Sequence, residues 1–222
     1  MRIAIIAAMS KELALLLPLI SSPSTVTANG MTFHKGHIGN HEIIATECGI
    51  GKVNAAVGAL TLIECFHPDM IINTGVAGGT GAGAAILDVV VADSVAYHDV
   101  WCGPGTIPGQ AASCPAKFEC PLPDSTFEGM DVKRGLVASG DIFVSKPEEV
   151  KKIMSVWPEA MAVDMESAAI AHACFLKSVP FVCIRVISDT PGSADNISQY
   201  ENFWTDAPAH TFATLKALLE RL

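Results

Sequence analysis

The chain of 222 residues has few cations and no paired-cysteine motif, and each shortage excludes a class of protein. Its 14 Lys and Arg residues are outnumbered by 23 Asp and Glu residues, which gives a net charge of −9. Because proteins bind polyphosphate backbones through clustered cations, we expect no nucleic-acid partner. The seven cysteines are odd in number, and no two stand in a C-x-x-C spacing. This pattern favours reduced thiols in the cytoplasm over a disulfide framework or a zinc ribbon.

Long hydrophobic runs are also missing. The apolar run after Arg2 is too short for a secretory signal, and the run "LALLLPLI" contains Pro18. Both fall well short of the roughly 20 residues that a membrane-spanning helix needs. We therefore expect a soluble cytoplasmic protein without a membrane partner. The 50% hydrophobic content suffices for a core, and the length predicts a single domain over residues 1–222.

Several nucleotide-binding, nucleophile and metal motifs are absent. "GIGKV" (49–53) lacks the Ser or Thr of a phosphate-binding loop, and the first predicted strand has no G-x-G-x-x-G turn. There is no G-x-S-x-G elbow for a nucleophilic serine. Histidines 34, 37 and 41 lie near a predicted hairpin turn, where exposed strand residues are commoner than zinc ligands. The sequence therefore predicts no metal and no cofactor.

What is present is an alternation of short β-branched runs with longer helical patterns. We predict strands at 2–8, 69–75, 86–99, 132–140, 159–165 and 180–189, with a hairpin over 31–47. Helices are predicted at 10–20 with Ser10 as N-cap, and at 51–66, 146–157, 166–178 and 207–222. This order predicts an α/β fold with a mixed, mostly parallel central sheet flanked by helices.

One long segment lacks any periodicity. Residues 101–124 are rich in Gly, Pro and Cys. A loop of this length in a compact domain is usually functional or lies at an interface, although a tolerated insertion explains it equally well.

Acidic residues follow three of the predicted strands. Glu12, Glu166 and Asp189 each come shortly after a strand ends, and ligands of α/β sheets collect at the carboxyl ends of strands. Each has an ordinary alternative, because Glu12 and Glu166 can complement a helix dipole and Asp189 can cap a turn. Phe143 and Met165, which also follow strands, are individually typical of core residues. The convergence of three acids at one sheet edge nevertheless favours a binding site without a metal.

Seven segments together resemble the bacterial 5′-methylthioadenosine/S-adenosylhomocysteine nucleosidases of the purine nucleoside phosphorylase superfamily. They run in the same order from Arg2 to the last helix, and the similarity is weakest over 100–132. The segments are "IAIIAAMSKEL", "ECGIGKVNAA", "DMIINTGVAGG", "YHD", "VASGDIFV", "AVDMESAAIAHAC" and "VPFVCIRVISD".

The resemblance implies hydrolysis of the bond between adenine and ribose. It implies Glu12 as the base that activates water and Asp189 as the acid that protonates the purine. Glu166 would accept hydrogen bonds from the ribose hydroxyls, and Asp164 would be supporting architecture. The remaining implied substrate-binding residues are Met9, Ile50, Val76, Ala77, Gly78, Phe143, Val144, Met165, Arg185, Ser188 and Phe203. Among these, Phe143 would stack on adenine, Val144 would present its backbone to the base, and Met9, Ile50 and Phe203 would line the 5′-tail pocket.

Two departures from the family pattern stand out. Val76 occupies a position where the family usually has serine, which removes a hydroxyl able to orient the acid. The segment 100–123 lacks the family's aromatic loop, which in a homodimer reaches into the neighbouring subunit's pocket. A homodimer is expected from the resemblance alone.

Three functional classes stay open. The first is the hydrolase, acting on methylthioadenosine, adenosylhomocysteine or a futalosine-type nucleoside. The second is a phosphorolytic transferase, which would need cations for phosphate. The third is a purine-binding protein without catalytic activity, against which the presence of all three acids argues.

Overall fold

The computed structural model describes residues 1–206 and 208–222, and it describes side chains outside 205–212. The strands are β1 (Arg2–Ala7), β2 (Ser21–Ala28), β3 (Met31–Ile38), β4 (His41–Glu47), β5 (Met70–Gly79), β6 (Val89–Tyr97), β7 (Phe118–Glu119), β8 (Lys133–Ser139), β9 (Ala160–Asp164) and β10 (Phe181–Asp189). The helices are α1 (Ser10–Leu16), α2 (Lys52–Phe66), α3 (Pro147–Val156), α4 (Ser167–Lys177), α5 (Asn196–Asp206) and α6 (Pro208–Leu219).

The strands form one mixed sheet that partly closes on itself. Strand β5 pairs in parallel with β1 and β10, and its last two residues pair with β9 in the opposite direction. Because β10 continues through β6 and β8 to β9, strands β5, β10, β6, β8 and β9 form a closed ring. Five of the pairings between described strands are parallel, and they include all those of β1. The other five pairings between described strands are antiparallel. The predicted α/β fold with a mixed central sheet is confirmed, although parallel pairings are not in the majority.

The central strands are buried on both faces, which explains their continuous apolar sequences. All residues of β10 are buried, and the interior of β1 is fully enclosed. Helices α2 and α4 pack together on one side, while α1 and α6 pack on the other. None of the helices in the described residues is long and apolar enough to cross a bilayer.

Several local predictions differ from the structure. The N-cap of α1 is Met9 rather than Ser10, because the Ser10 hydroxyl donates to the carboxylate of Glu47 instead. Strand β2 was not predicted, since its sequence "SSPSTVTA" is polar and the strand lies exposed at the sheet edge. Helix α5 was also not predicted. The last helix was expected to begin at Ala207, which lies outside the described residues.

Candidate active site

A cavity lies at the carboxyl ends of β1, β5, β9 and β10. Its lining combines apolar side chains with a few polar and acidic groups, as is typical of small-molecule sites. Its lining residues are Ala8, Met9, Glu12, Ile50, Val76, Ala77, Gly78, Ile142, Phe143, Val144, Val163, Asp164, Met165, Glu166, Ser188, Asp189, Pro191 and Tyr200. The cavity thus brings together nine of the eleven implied substrate-binding residues outside the acids. The two exceptions are Arg185 and Phe203.

Glu12 lies in the first turn of α1 and is held by three backbone donors. Its Oε2 accepts hydrogen bonds from the N–H groups of Ala8 and Met9, at 2.9 and 3.0 Å. Its Oε1 accepts one from the N–H of Val76, at 3.0 Å. A Cβ atom at Gly75 would collide with the same Oε1. A glycine at position 75 is therefore required for the carboxylate to rest against β5.

Asp189 is the last residue of β10, and both of its oxygens accept side-chain hydrogen bonds. The Ser188 hydroxyl donates to Oδ1 at 2.6 Å, and the Asn196 amide donates to Oδ2. Asn196 begins α5, the helix that sequence reasoning missed. The serine hydroxyl that Val76 lacks is therefore not needed to give Asp189 polar partners.

Glu166 is the residue before α4 and faces the loop between β4 and α2. Its Oε1 accepts a hydrogen bond from the N–H of Gly51 at 2.9 Å. Gly51 has a φ of 94°, a conformation that favours glycine. The side chain of Glu166 is only 7% exposed, so that its charge is largely shielded from water.

Arg185 supports the cavity from beneath and is not among its lining residues, contrary to the expectation that it binds substrate. Its Nε donates to Oδ2 of Asp164 at 2.8 Å, and its Nη2 donates to Asn73. The other oxygen of Asp164 accepts from the hydroxyl of Ser167, in the first turn of α4. Arg185 is 2% exposed and too deep to reach a ligand directly. The pair therefore connects β9, β10 and α4 behind Glu166.

Burial raises the pKa values of Glu12, Glu166 and Asp189, and the nearby cation Arg185 only partly opposes this for the two glutamates. Burial raises the pKa of Glu12, although Arg185 and the three backbone donors oppose this shift. Burial, with a contribution from Asp164, raises the pKa of Glu166 to about 7. Burial also raises the pKa of Asp189, against the hydrogen bonds from its two donors. Each of these acids therefore holds its proton to a higher pH than an exposed carboxyl group does.

Phe203 does not line the cavity, and Tyr200 takes the place that was expected for it. Phe203 is buried with the edge of its ring near Trp204, in the core beside α1 and α6. Tyr200, one helical turn earlier on α5, donates its hydroxyl to the sulfur of Met9 at 3.5 Å. Its ring centre lies 5.5 Å from that of Phe143. The rotation of α5 about its axis determines whether Tyr200 or Phe203 faces the cavity. The sequence does not directly indicate this rotation.

The raised pKa of Glu166 predicts that this residue destabilises the fold at neutral pH. Between pH 4.5 and about 7 the unfolded chain releases this proton while the folded chain retains it, so stability falls as pH rises. We expect Glu166→Gln to be more stable than the wild type at pH 8 by about 3 kcal/mol, and equally stable near pH 4. Urea unfolding of both proteins across this range measures the difference. Parallel stability curves at all pH values would contradict the shift.

Within the described residues, no three His, Cys, Asp or Glu side chains are grouped so that they could hold a metal ion.

Comparison with known proteins places this site in a family. Residues 2–220 match the model of the phosphorylase superfamily. The chain is 38% identical to the 5′-methylthioadenosine/S-adenosylhomocysteine nucleosidase of Chromohalobacter salexigens, over 100% of this chain and 97% of the relative.

Solved structures agree with this match. The S-adenosylhomocysteine nucleosidase of Streptococcus pyogenes, in complex with 5-methylthiotubericidin, is 36% identical with a TM-score of 0.93, over 100% of this chain and 97% of that one. The 5′-methylthioadenosine/S-adenosylhomocysteine nucleosidase of Colwellia psychrerythraea, in complex with adenine, is 35% identical with a TM-score of 0.92, over 100% and 96%. The chain therefore belongs to the phosphorylase superfamily and, within it, to the 5′-methylthioadenosine/S-adenosylhomocysteine nucleosidase family.

Proposed function

We propose that the protein hydrolyses the N-glycosidic bond of 5′-methylthioadenosine and S-adenosylhomocysteine. The products are adenine and the corresponding 5-thio-substituted ribose. The observation that carries this proposal is that Glu12 and Asp189, two buried carboxyl groups with separate sets of hydrogen-bond donors, line one cavity. The ligands named for the Streptococcus and Colwellia structures, an adenosine analogue and adenine, support it.

Cleavage of this bond requires an acid and a base on opposite faces of the sugar. The transition state resembles a ribosyl cation, so that the purine leaves more easily when protonated, while water attacks from the other face. In our proposal Asp189 donates its proton to the imidazole nitrogen of the purine, and ionised Glu12 removes a proton from the water. Glu166, when ionised, accepts hydrogen bonds from the ribose hydroxyls and stabilises the cation.

The other lining residues shape the cavity around the nucleoside. Phe143 stacks on adenine, and the backbone of Val144 faces the edge of the base. Met165 packs on the ribose. The 5′ tail is bordered by Met9 and Tyr200, whose sulfur and ring suit a thioether.

The lining of the cavity favours hydrolysis over phosphorolysis. Among the described residues that line it there is no lysine or arginine, whereas phosphate binding needs cationic donors. The buried Arg185 is already paired with Asp164. Ionised Glu12 and Glu166 would also repel a phosphate anion.

One assay tests the proposal against its alternatives. The protein is incubated with 5′-methylthioadenosine in phosphate-free buffer, and adenine is followed by chromatography. We expect adenine release that does not increase when phosphate is added. Release that strictly needs phosphate would identify a transferase, and no release with or without phosphate would leave a binding protein. A parallel reaction with a futalosine-type nucleoside ranks the two substrate classes.

We further propose that residues 1–222 form one domain that works as a homodimer in the cytoplasm. Cytoplasmic location is supported by seven cysteines that are all free. Dimerisation is supported by an apolar surface on α2 and α4 in which Val53, Val57 and Leu176 are 75%, 55% and 66% exposed. This surface continues to Ile50 at the cavity, so a second copy placed on it would also border the site.

Substitution on this surface is expected to separate the subunits. Val57→Asp places a charge in the middle of the apolar face, and a buried unpaired carboxylate opposes association. Light scattering after size exclusion should give twice the chain mass for the wild type and one chain mass for the variant. Thr25→Asp, on the exposed edge strand β2, is the control and should not change the mass. A monomeric wild type at micromolar concentration would contradict the dimer.

A further inference from the structure

The glycine-rich segment "GIGK" (49–52) forms part of one wall of the cavity. Ile50 lines the cavity, and the N–H of Gly51 holds the carboxylate of Glu166. The segment ends at Lys52, which begins α2 and does not line the cavity itself. The contacts of Lys52 therefore hold this wall of the cavity in place.

Lys52 connects its own loop to two other loops through two aspartates. Its backbone N–H donates to Oδ1 of Asp141 at 2.7 Å. Its ammonium group donates to Oδ2 of Asp99 at 2.7 Å and lies 3.9 Å from Oδ2 of Asp141. The same Oδ2 of Asp99 accepts a hydrogen bond from the backbone N–H of Asp141, at 2.9 Å. We call Lys52, Asp99 and Asp141 the Lys52 network.

The Lys52 network lies directly beside the residues that face the ligand. Asp141 precedes Ile142 and Phe143, which line the cavity together with Ile50. Phe143 is 45% exposed, so packing alone restrains its loop weakly. The network joins this loop to the loop that carries Ile50 and binds Glu166.

The ion pair of Lys52 and Asp99 is shielded enough to act as a restraint, although Asp141 is half-exposed. The side chains of Lys52 and Asp99 are only 22% and 17% exposed, and the ammonium group lies 5.5 Å from the ring centre of Tyr97. A pair that is partly removed from water is stronger than a fully exposed pair and is screened less by salt. The two hydrogen bonds from backbone N–H groups also fix the orientation of the carboxylates, which an ion pair alone does not do.

We propose that Lys52 is a positioning residue for the reaction: its ammonium group, held by Asp99 and Asp141, fixes the loop of Phe143 relative to Ile50 and Glu166. This inference rests on the proposed function, because it assumes that these residues bind the nucleoside. Lys52 acts through the walls of the cavity and has no contact with the bond that breaks. Its loss therefore weakens substrate binding more than it slows the chemical step.

The test compares three variants of the full-length protein. Lys52→Met removes the charge at nearly constant length, and we expect about a tenfold rise in KM for 5′-methylthioadenosine with kcat within about twofold of the wild type. Lys52→Arg restores a cation and should recover most of the loss. Lys117→Met is the matched control, since Lys117 also pairs with an acid, Glu159, and also lies over an aromatic ring, but away from the cavity. Its kinetic constants should not change.

A second measurement does not depend on activity. Hydrogen exchange of the free proteins should show faster exchange over 49–53 and 140–145 in Lys52→Met, and no change there in Lys117→Met. An unchanged KM with unchanged exchange would overturn the proposal, and so would a fall in kcat at constant KM, which indicates only a smaller folded fraction. A wild-type protein that releases no adenine would instead overturn the proposed function, and with it a role of Lys52 in the reaction.

Discussion

Glu12→Gln is expected to lower kcat for 5′-methylthioadenosine by about a thousandfold while a nucleoside analogue still binds within about threefold of the wild-type affinity. Glutamine has nearly the same shape as glutamate, but it does not accept a proton from water. Its single oxygen can accept the hydrogen bonds of Ala8 and Met9 or that of Val76, but not all three. Single-turnover kinetics and calorimetry separate the chemical step from binding.

A matched substitution controls for the general effect of removing a carboxylate near α1. Glu47→Gln changes an acid that accepts from Ser10 at 2.7 Å but does not line the cavity. Its kcat should stay close to that of the wild type. A Glu12→Gln enzyme with wild-type kcat would remove Glu12 from the mechanism.

Asp189→Asn is expected to lower kcat/KM by an amount that depends on whether the leaving group needs a proton. For adenine nucleosides kcat/KM should fall by about a thousandfold, because adenine leaves only when it is protonated. For a 5-methylthio-riboside with 4-nitrophenolate as leaving group the loss should be below about tenfold, because this group leaves without a proton. Equal losses on both substrates would contradict the role of Asp189 as the acid. Asp131→Asn, an exposed acid outside the cavity, is the control.

The pH dependence gives an independent test of the same residue. Asp189 must be protonated to act, so kcat/KM falls as pH rises through its pKa, which burial raises above the ordinary value. Glu12 and Glu166 must both be ionised, so loss of activity at low pH reflects protonation of these two acids. In Asp189→Asn the loss at high pH should disappear while the loss at low pH remains.

Much of the fold was predictable because the buried strands carry a strong apolar signal. β1, β5 and β10 are enclosed on both faces, and each begins with or contains a continuous hydrophobic run. Strand β2 has no such apolar run, because almost all of its residues are exposed. It is held in the sheet mainly by its backbone pairing with β3. The closure of the sheet through β10 and β6 depends on contacts distant in sequence, which local patterns do not encode.

The acids of the site were predictable from their positions after strands, whereas their surroundings were not. Glu12 and Glu166 follow β1 and β9, Asp189 ends β10, and the structure places all three on one cavity. The partners Asn196 and Tyr200 were missed, because they lie on α5, a helix of low hydrophobic content that follows Pro191 and Gly192. Arg185 carries a charge inside a buried strand, and only the structure shows that Asp164 neutralises it.

The central claim is that Glu12 and Asp189 act on one nucleoside from opposite sides. A crystal structure with a methylthioadenosine analogue whose base is joined through an uncleavable carbon bond tests this most directly. We predict that the carboxyl group of Asp189 lies about 2.6–3.2 Å from the imidazole part of the base, and that a water held by Glu12 lies on the opposite face of the sugar. A ligand that reaches only one of the two acids, or both acids on one face of the sugar, would contradict the claim.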